Sequence, residues 1–272
     1  MFERKNRFRP TPSTSSAVAD TLRPVAIAWC AVALLFLVGC TVIPRLDANF
    51  DADPLGVPPT TPAPTPPDDQ LGWRNGFVTS VVVADPAGGR WVRVTPLPAF
   101  ISSPDNRQVF LIAVTDRFTT SPAANIRGSV RFRLNTPATV GLGLRPLQGE
   151  QTLDFIGGFE LSNFLPPSGG GINVVHGFKG ERLNDPFALP SAGQISGYNP
   201  GSVIDINWTL DQASRTFSAS VLGGPSQSTV FPAVSGAAAT TPIQRLSIQL
   251  WMQRPTNDTV LFIDNLRAEE YR

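Results

Sequence analysis

Ile126-Arg127-Gly128-Ser129-Val130-Arg131-Phe132-Arg133-Leu134 changes character at every step. Ile126, Gly128, Val130, Phe132 and Leu134 share one parity, and Arg127, Ser129, Arg131 and Arg133 share the other. Successive side chains of an extended strand point to opposite faces, so this stretch predicts a strand with one packed face and one wet face. Two further stretches obey the same rule. Ile204, Ile206, Trp208 and Leu210 turn inward against Asp205, Asn207 and Thr209, and Leu246, Ile248, Leu250 and Met252 turn inward against Ser247, Gln249, Trp251 and Gln253.

Outward from these three, similar runs occupy residues 77–84, 90–95, 109–115, 139–144, 155–161, 172–178, 216–222 and 259–268, each bounded by Gly, Pro, Asn or Asp. The chain's 27 prolines and 23 glycines fit many turns better than long helices. About a dozen short strands, without an amphipathic helix or a repeat of fixed period, predict an all-β domain over residues 71–272, an antiparallel β-sandwich or barrel.

The amino-terminal part reads differently. A flank with Arg4, Lys5, Arg7, Arg9 and Arg23 precedes the apolar run from Val25 to Val38, which ends in Gly39-Cys40, the layout of an export signal. The uncharged run extends through Ile43, and its 19 residues allow the alternative of an uncleaved membrane anchor. Residues 51–70 include Pro-Pro-Thr-Thr-Pro-Ala-Pro-Thr-Pro-Pro, a composition that favours extended polyproline conformation. Residues 1–39 are thus expected to be a signal, and 40–70 a tether holding the domain away from the membrane.

Leu37-Val38-Gly39-Cys40 resembles the lipobox of bacterial lipoprotein precursors. The resemblance implies that Cys40 becomes the first mature residue and carries acyl chains, with membrane lipid as its partner. Several acyl chains would anchor the protein firmly, where one gives only marginal binding. Thr41 is not the Asp that resembles an inner-membrane retention signal, which implies the outer membrane in a cell that has two.

Five of the 22 basic and two of the 21 acidic residues precede Cys40, leaving 17 basic and 19 acidic residues after it, a net of −2. A nucleic-acid partner has no electrostatic support. Both cysteines, Cys30 and Cys40, lie in or beside the apolar run, so the domain offers no thiol for a disulfide, a zinc cage or nucleophilic attack.

A second resemblance lies near the carboxyl end. Val203 to Asp211, Thr216 to Val221 and Leu261-Phe262-Ile263-Asp264-Asn265-Leu266-Arg267 look like the closing strands of concanavalin-A-like and laminin-G-like jelly rolls. The same order occurs in carbohydrate-binding modules, which implies a jelly-roll sandwich and makes a polysaccharide partner an expectation. Such modules sometimes hold structural Ca²⁺; Asp264 and Asn265 are the candidate donors, and side-chain hydrogen bonds at a strand end are the plainer reading.

Catalytic signatures are sparse. The Glu-x-Asp-x-x-Glu strand that laminarinase-like members of this fold show is absent, and Asp154 and Glu160 are nearest to a carboxyl pair. His176 is the sole histidine, excluding multi-histidine metal centres; it could join Lys179, Glu181 and Arg182 at a polar site. No Gly-x-Ser-x-Gly elbow exists, and Ser168-Gly169-Gly170-Gly171 lacks the Lys-Ser/Thr of a phosphate loop. The surface candidates are therefore Trp91 and Trp251, out of phase with the core, and the row Arg127, Arg131, Arg133. Open indoles would offer flat faces to sugar rings, and the arginines would suit an anionic polymer or lipid headgroups. Burial under a second layer or loop is the plainer reading of the tryptophans, and pairing with Asp or Glu of a neighbouring strand that of the arginines. The leading expectation is a non-enzymatic, membrane-anchored envelope lipoprotein that binds a glycan or another envelope component. A polysaccharide hydrolase or lyase and a purely structural envelope protein are the alternatives.

Overall fold

The computed structural model describes residues 42–59, 71–73, 76–102, 110–115, 118–119, 125–136, 138–148, 151–152, 157–164, 172–178, 191–212, 216–222, 226–230 and 245–271. Its strands are β1 (Val42–Ala48), β2 (Leu71–Trp73), β3 (Val78–Ala84), β4 (Arg90–Pro96), β5 (Phe110–Thr115), β6 (Phe118–Thr119), β7 (Asn125–Leu134), β8 (Thr139–Gln148), β9 (Gln151–Thr152), β10 (Gly157–Phe164), β11 (Ile172–Phe178), β12 (Ser191–Gly197), β13 (Val203–Asp211), β14 (Thr216–Val221), β15 (Ser226–Val230), β16 (Arg245–Gln253) and β17 (Leu261–Tyr271). One helical turn, α1 (Pro98–Ile101), starts on a proline that needs no amide partner there and buries Phe100.

Two sheets form. Sheet A runs β15-β14-β13-β7-β17-β4-β3, with β1 also on β17, and sheet B runs β12-β11-β10-β8-β16-β5-β2, with β6 on β16 and β9 on β8. Every pairing among the described strands is antiparallel, and the chain changes sheet at β1/β2, β2/β3, β4/β5, β6/β7, β7/β8, β12/β13, β15/β16 and β16/β17. Phe132 of β7 meets Phe159 of β10 edge to face at 6.4 Å, so the sheets pack face to face. The architecture is the expected antiparallel β-sandwich of jelly-roll type.

The inward parity of the three leading stretches is realised, but the expected wet face of β16 is not, because Ser247, Gln249, Trp251 and Gln253 are buried as well. Ile126, Val130, Phe132 and Leu134 of β7, Ile204, Ile206, Trp208 and Leu210 of β13, and Leu246, Ile248, Leu250 and Met252 of β16 are all buried in one core. Gly128 has a specific reason to be glycine: a Cβ there would sit 2.1 Å from Cζ2 of Trp208, its cross-strand neighbour, and 2.4 Å from the Arg267 carbonyl oxygen. The indole occupies the space that any other residue's side chain would need.

The sheet begins earlier than expected. Residues 42–59 belong to the folded body, which corrects the boundary that placed 40–70 in a tether. Val42 pairs with Tyr271 and Ala48 with Leu266; Leu46, Ala48, Phe50 and Asp53 are buried, and Gly56 and Val57 exchange backbone hydrogen bonds with Val82. Pro44 and the adjoining apolar run disguise a strand that alternates only over its last four residues. The expected signal (1–39), Cys40, Thr41 and residues 60–70 lie outside the described residues.

Two ion pairs tie β1 to β17 in contrasting environments. Arg45 Nη2 donates to Glu270 Oε2 at 2.6 Å with Glu270 wholly buried, whereas Arg267 Nε donates to Asp47 Oδ1 at 2.9 Å in the open. Removing one partner of a buried pair strands a charge, while an exposed pair is screened by water. Arg45→Ala is therefore expected to cost about 3 kcal/mol in urea unfolding, and Arg267→Ala about 0.5 kcal/mol or less; equal effects would contradict the burial contrast.

Candidate functional site

The outward parity of sheet A carries the arginine row. Arg127 is ion-paired with Glu269 and lies 5.4 Å from the Tyr271 ring centroid. Arg131 Nε donates to Asp205 Oδ1 at 2.6 Å, and its Nη1 lies 3.8 Å from Asp264. Arg133 lies over Phe262 at 4.1 Å and over Trp91 at 5.4 Å. Acids on the neighbouring strands β13 and β17 thus neutralise part of the row, and aromatic faces take up the rest.

Trp91 and Trp251 do not offer the open faces that their phase suggests. Trp91 points away from the core, as predicted, but is only 2% exposed. Arg131 and Arg133 lie over its ring, and its indole N–H donates to Asp85, the residue that opens the β3–β4 turn. The Asp85 carboxyl is held below its usual range, first by the backbone N–H of Ala87 and also by Trp91 and the two arginines. Trp251 belongs to sheet B and is fully buried. It lies against Gly141, where a Cβ would approach its ring to 2.2 Å, and its Nε1 donates to Glu160 at 3.3 Å. Trp91 therefore shares a face with Arg131 and Arg133, and Trp251 stands on the other sheet. Parity sets a side chain's direction; long neighbours decide whether water reaches it.

What sequence reasoning missed is a cleft of about 280 Å³ in sheet A, lined by Ser129, Arg131, Asp205, Asn207, Asn265 and Arg267, with Leu222 at its rim. A break in pairing adjoins it. The register of β17 against β7 shifts between Asp264 and Arg267, and Asn265 takes a left-handed conformation at φ 50° that Asn tolerates better than most residues. Ser129 Oγ reaches the Asn265 carbonyl at 3.4 Å. Leu222 is 70% exposed, the most open large apolar residue among the described residues. The Asp264-Asn265 dipeptide was the legible trace of this bulge.

Asp264 is bound within the protein: Asn265 Nδ2 donates to its Oδ2 at 2.9 Å, alongside the Arg131 contact. Among the described residues, no three His, Cys, Asp or Glu side chains are grouped to hold a metal ion. On sheet B, the outward Glu160, Ser162, Ser247, Gln249 and Gln253 are also buried, and Gln249 Oε1 has no hydrogen-bond partner among the described residues. His176 is the register partner of Glu160. Asp154, Lys179, Glu181, Arg182 and the run Ser168 to Gly171 lie outside the described residues.

No family model and no curated protein matches the chain. Solved structures are similar in part. An alginate lyase in complex with an alginate trisaccharide shares 12% identity at a TM-score of 0.48, over 85% of this chain and 100% of that one. A sialidase shares 12% at 0.47 over 83% of this chain, which spans 18% of the sialidase's length. The CBM2 module of an evolved Dit from Lactobacillus casei BL23 phage J-1 shares 11% at 0.43, over 85% and 96%. The strand pairing itself establishes the architecture.

Burial pushes the Asp264 carboxyl up to about 6 from an ordinary 3.8, despite the nearby arginines. A raised carboxyl favours the folded state fully below pH 3.8, and that advantage is lost as pH rises through about 6. Asp264→Asn should therefore raise stability by about 1 kcal/mol near neutral pH, less than the shift alone implies because Arg131 loses an ionic neighbour. Melting curves should show the gain vanishing in acid; a gain independent of pH would refute the assignment.

Proposed function

We propose that the chain is an exported lipoprotein of the cell envelope, acylated on Cys40, whose sandwich binds a glycan or another envelope component without catalysing a reaction. The cleft of sheet A carries the binding half of this reading. Guanidinium N–H groups, the Asn207 and Asn265 amides, the Asp205 carboxylate and the Ser129 hydroxyl alternate donors with acceptors around a space just below the ~300–1,000 Å³ of typical small-molecule sites. Leu222 adds apolar surface for the C–H face of a sugar ring. With both signs of charge present, the cleft suits hydroxyl-rich ligands better than a bare polyanion.

Strand β1 favours a lipid on Cys40 over the uncleaved anchor. Val42 and Ile43 are committed to pairing with Tyr271 and Glu270, so 17 residues, Val25 to Thr41, remain for a spanning helix. That number is at the short limit of the ~17–25 residues a bilayer needs. Two features support the second reading, a polysaccharide hydrolase or lyase: buried Glu160 accepts a hydrogen bond from Trp251 on sheet B, and His176 is its register partner.

Cys40→Ser should abolish acyl labelling and move the exported protein from the detergent phase to the aqueous phase; unchanged mass and partitioning would remove the anchor. On a glycan array, Asn207→Ala should weaken the domain's binding about tenfold, the worth of one good hydrogen bond. Release of products from polysaccharide, lost in Glu160→Gln, would instead establish the enzyme. Neither binding nor release would leave a structural role.

A further inference from the structure

Resting on the reading of Cys40 as the lipidated residue, we infer that the sandwich lies directly on the membrane, with the β1/β17 end of sheet A against the lipid headgroups. Strand pairing begins at Val42, two residues beyond Cys40. Two residues span at most about 7 Å. The proline-rich segment follows β1 in the chain and precedes β2, so it cannot act as a spacer between lipid and domain. The first paired residue must stay near the depth of the acylated cysteine.

Register decides which end meets the bilayer. Val42 pairs with Tyr271, and Tyr271 with Asn125, so the start of β1, the end of β17 and the start of β7 form one edge. Val42 is 41% exposed and Pro44 is open, while the exposed Arg127 guanidinium lies over the Tyr271 ring. An apolar residue, a proline and a tyrosine form a set suited to a membrane surface, where amphipathic rings settle, with Arg127 ion-paired to Glu269 beside them. The turn over Asn199 to Ser202 lies at the opposite end of β7, nine residues or about 30 Å away along the strand.

The cleft then occupies a defined height. Arg267 stands four residues before Tyr271 on β17, placing the cleft about 13 Å from the membrane-facing edge. A glycan displayed at the bilayer surface, such as the sugar headgroup of a lipid, lies within reach of a cleft at this height. The partner of this edge is the lipid surface itself.

Mature acylated protein, with spin labels on Pro44→Cys, Asp47→Cys and Ser202→Cys in separate samples, is reconstituted into phosphatidylethanolamine/phosphatidylglycerol vesicles containing a nickel-chelating lipid. Headgroup nickel should relax the label at 44 most, at 47 less, and at 202 about fivefold less than at 44, in line with ~30 Å of strand between the two ends. A Gly/Ser insertion of about ten residues between Thr41 and Val42 should erase the gradient by freeing the domain. The inference is overturned if acylated protein shows equal, weak relaxation at all three positions. Mass spectrometry of the same samples separates the two claims, because absence of acyl chains sinks the lipoprotein reading alone. Should Pro44→Cys fail to fold, Asp47→Cys against Ser202→Cys carries the comparison.

Discussion

Sheet A depends on where β17 sits. The strand pairs with β7 along most of its length, with β4 through Leu261 to Ile263, and with β1 through Leu266 to Tyr271. A slip of one residue would turn Leu261, Ile263, Leu266 and Ala268 out of the core and carry arginine and glutamate in, so burial fixes the register. More than a hundred residues separate β7 from β17, and their pairing pays a large loop-closure entropy before any packing rewards it. The pairing of β7 with β17 is expected to form late and to make the sheet cooperative when it does.

The bulge inside β17 reconciles two demands on that strand. Upstream of it, Leu261 and Ile263 face the core; downstream, Leu266, Ala268 and Glu270 do so, an offset that strict alternation cannot deliver. The extra residue is absorbed where Asn265 takes its left-handed turn. The irregularity brings an asparagine beside Arg131, Ser129 and Asn207, and a polar concavity results in a sheet face that is elsewhere filled with ion pairs. The cleft follows from fitting one strand to partners of different register.

Much of this was legible in the sequence, and its failures have physical causes. Residues 126–134, 204–210 and 246–252 were read to the correct face, because on each of these strands one parity is continuously apolar. Strand β1 was missed because an apolar leader runs into it and Pro44 interrupts it; β12 and β15, rich in Ser, Gly and Gln, have no apolar parity to read. Trp91 and Trp251 show the limit of parity for sites. Both directions were correct, and burial, the plainer reading of each, is what the structure shows, since Arg131 and Arg133 screen one indole and Gly141 lets the other lie flat on its sheet. The cleft needed the register shift in β17, and only the Asp-Asn dipeptide signals that shift in one dimension.

The strand that completes the sheet also sets the geometry of the proposed binding event. Its last residues hold β1, two residues from Cys40, the proposed anchor, and its middle residues form one wall of the cleft. A hydrogen-bonded strand is far stiffer than a linker, whose end-to-end distance fluctuates over its whole contour. In the proposed arrangement the cleft is therefore held at nearly constant height, and a ligand confined to the same membrane meets it at an effective concentration that a long tether would dilute. Lengthening the connection at Thr41 and Val42 would leave every contact in the cleft intact and still weaken capture of a membrane-borne ligand, while binding of the same sugar from solution would not change.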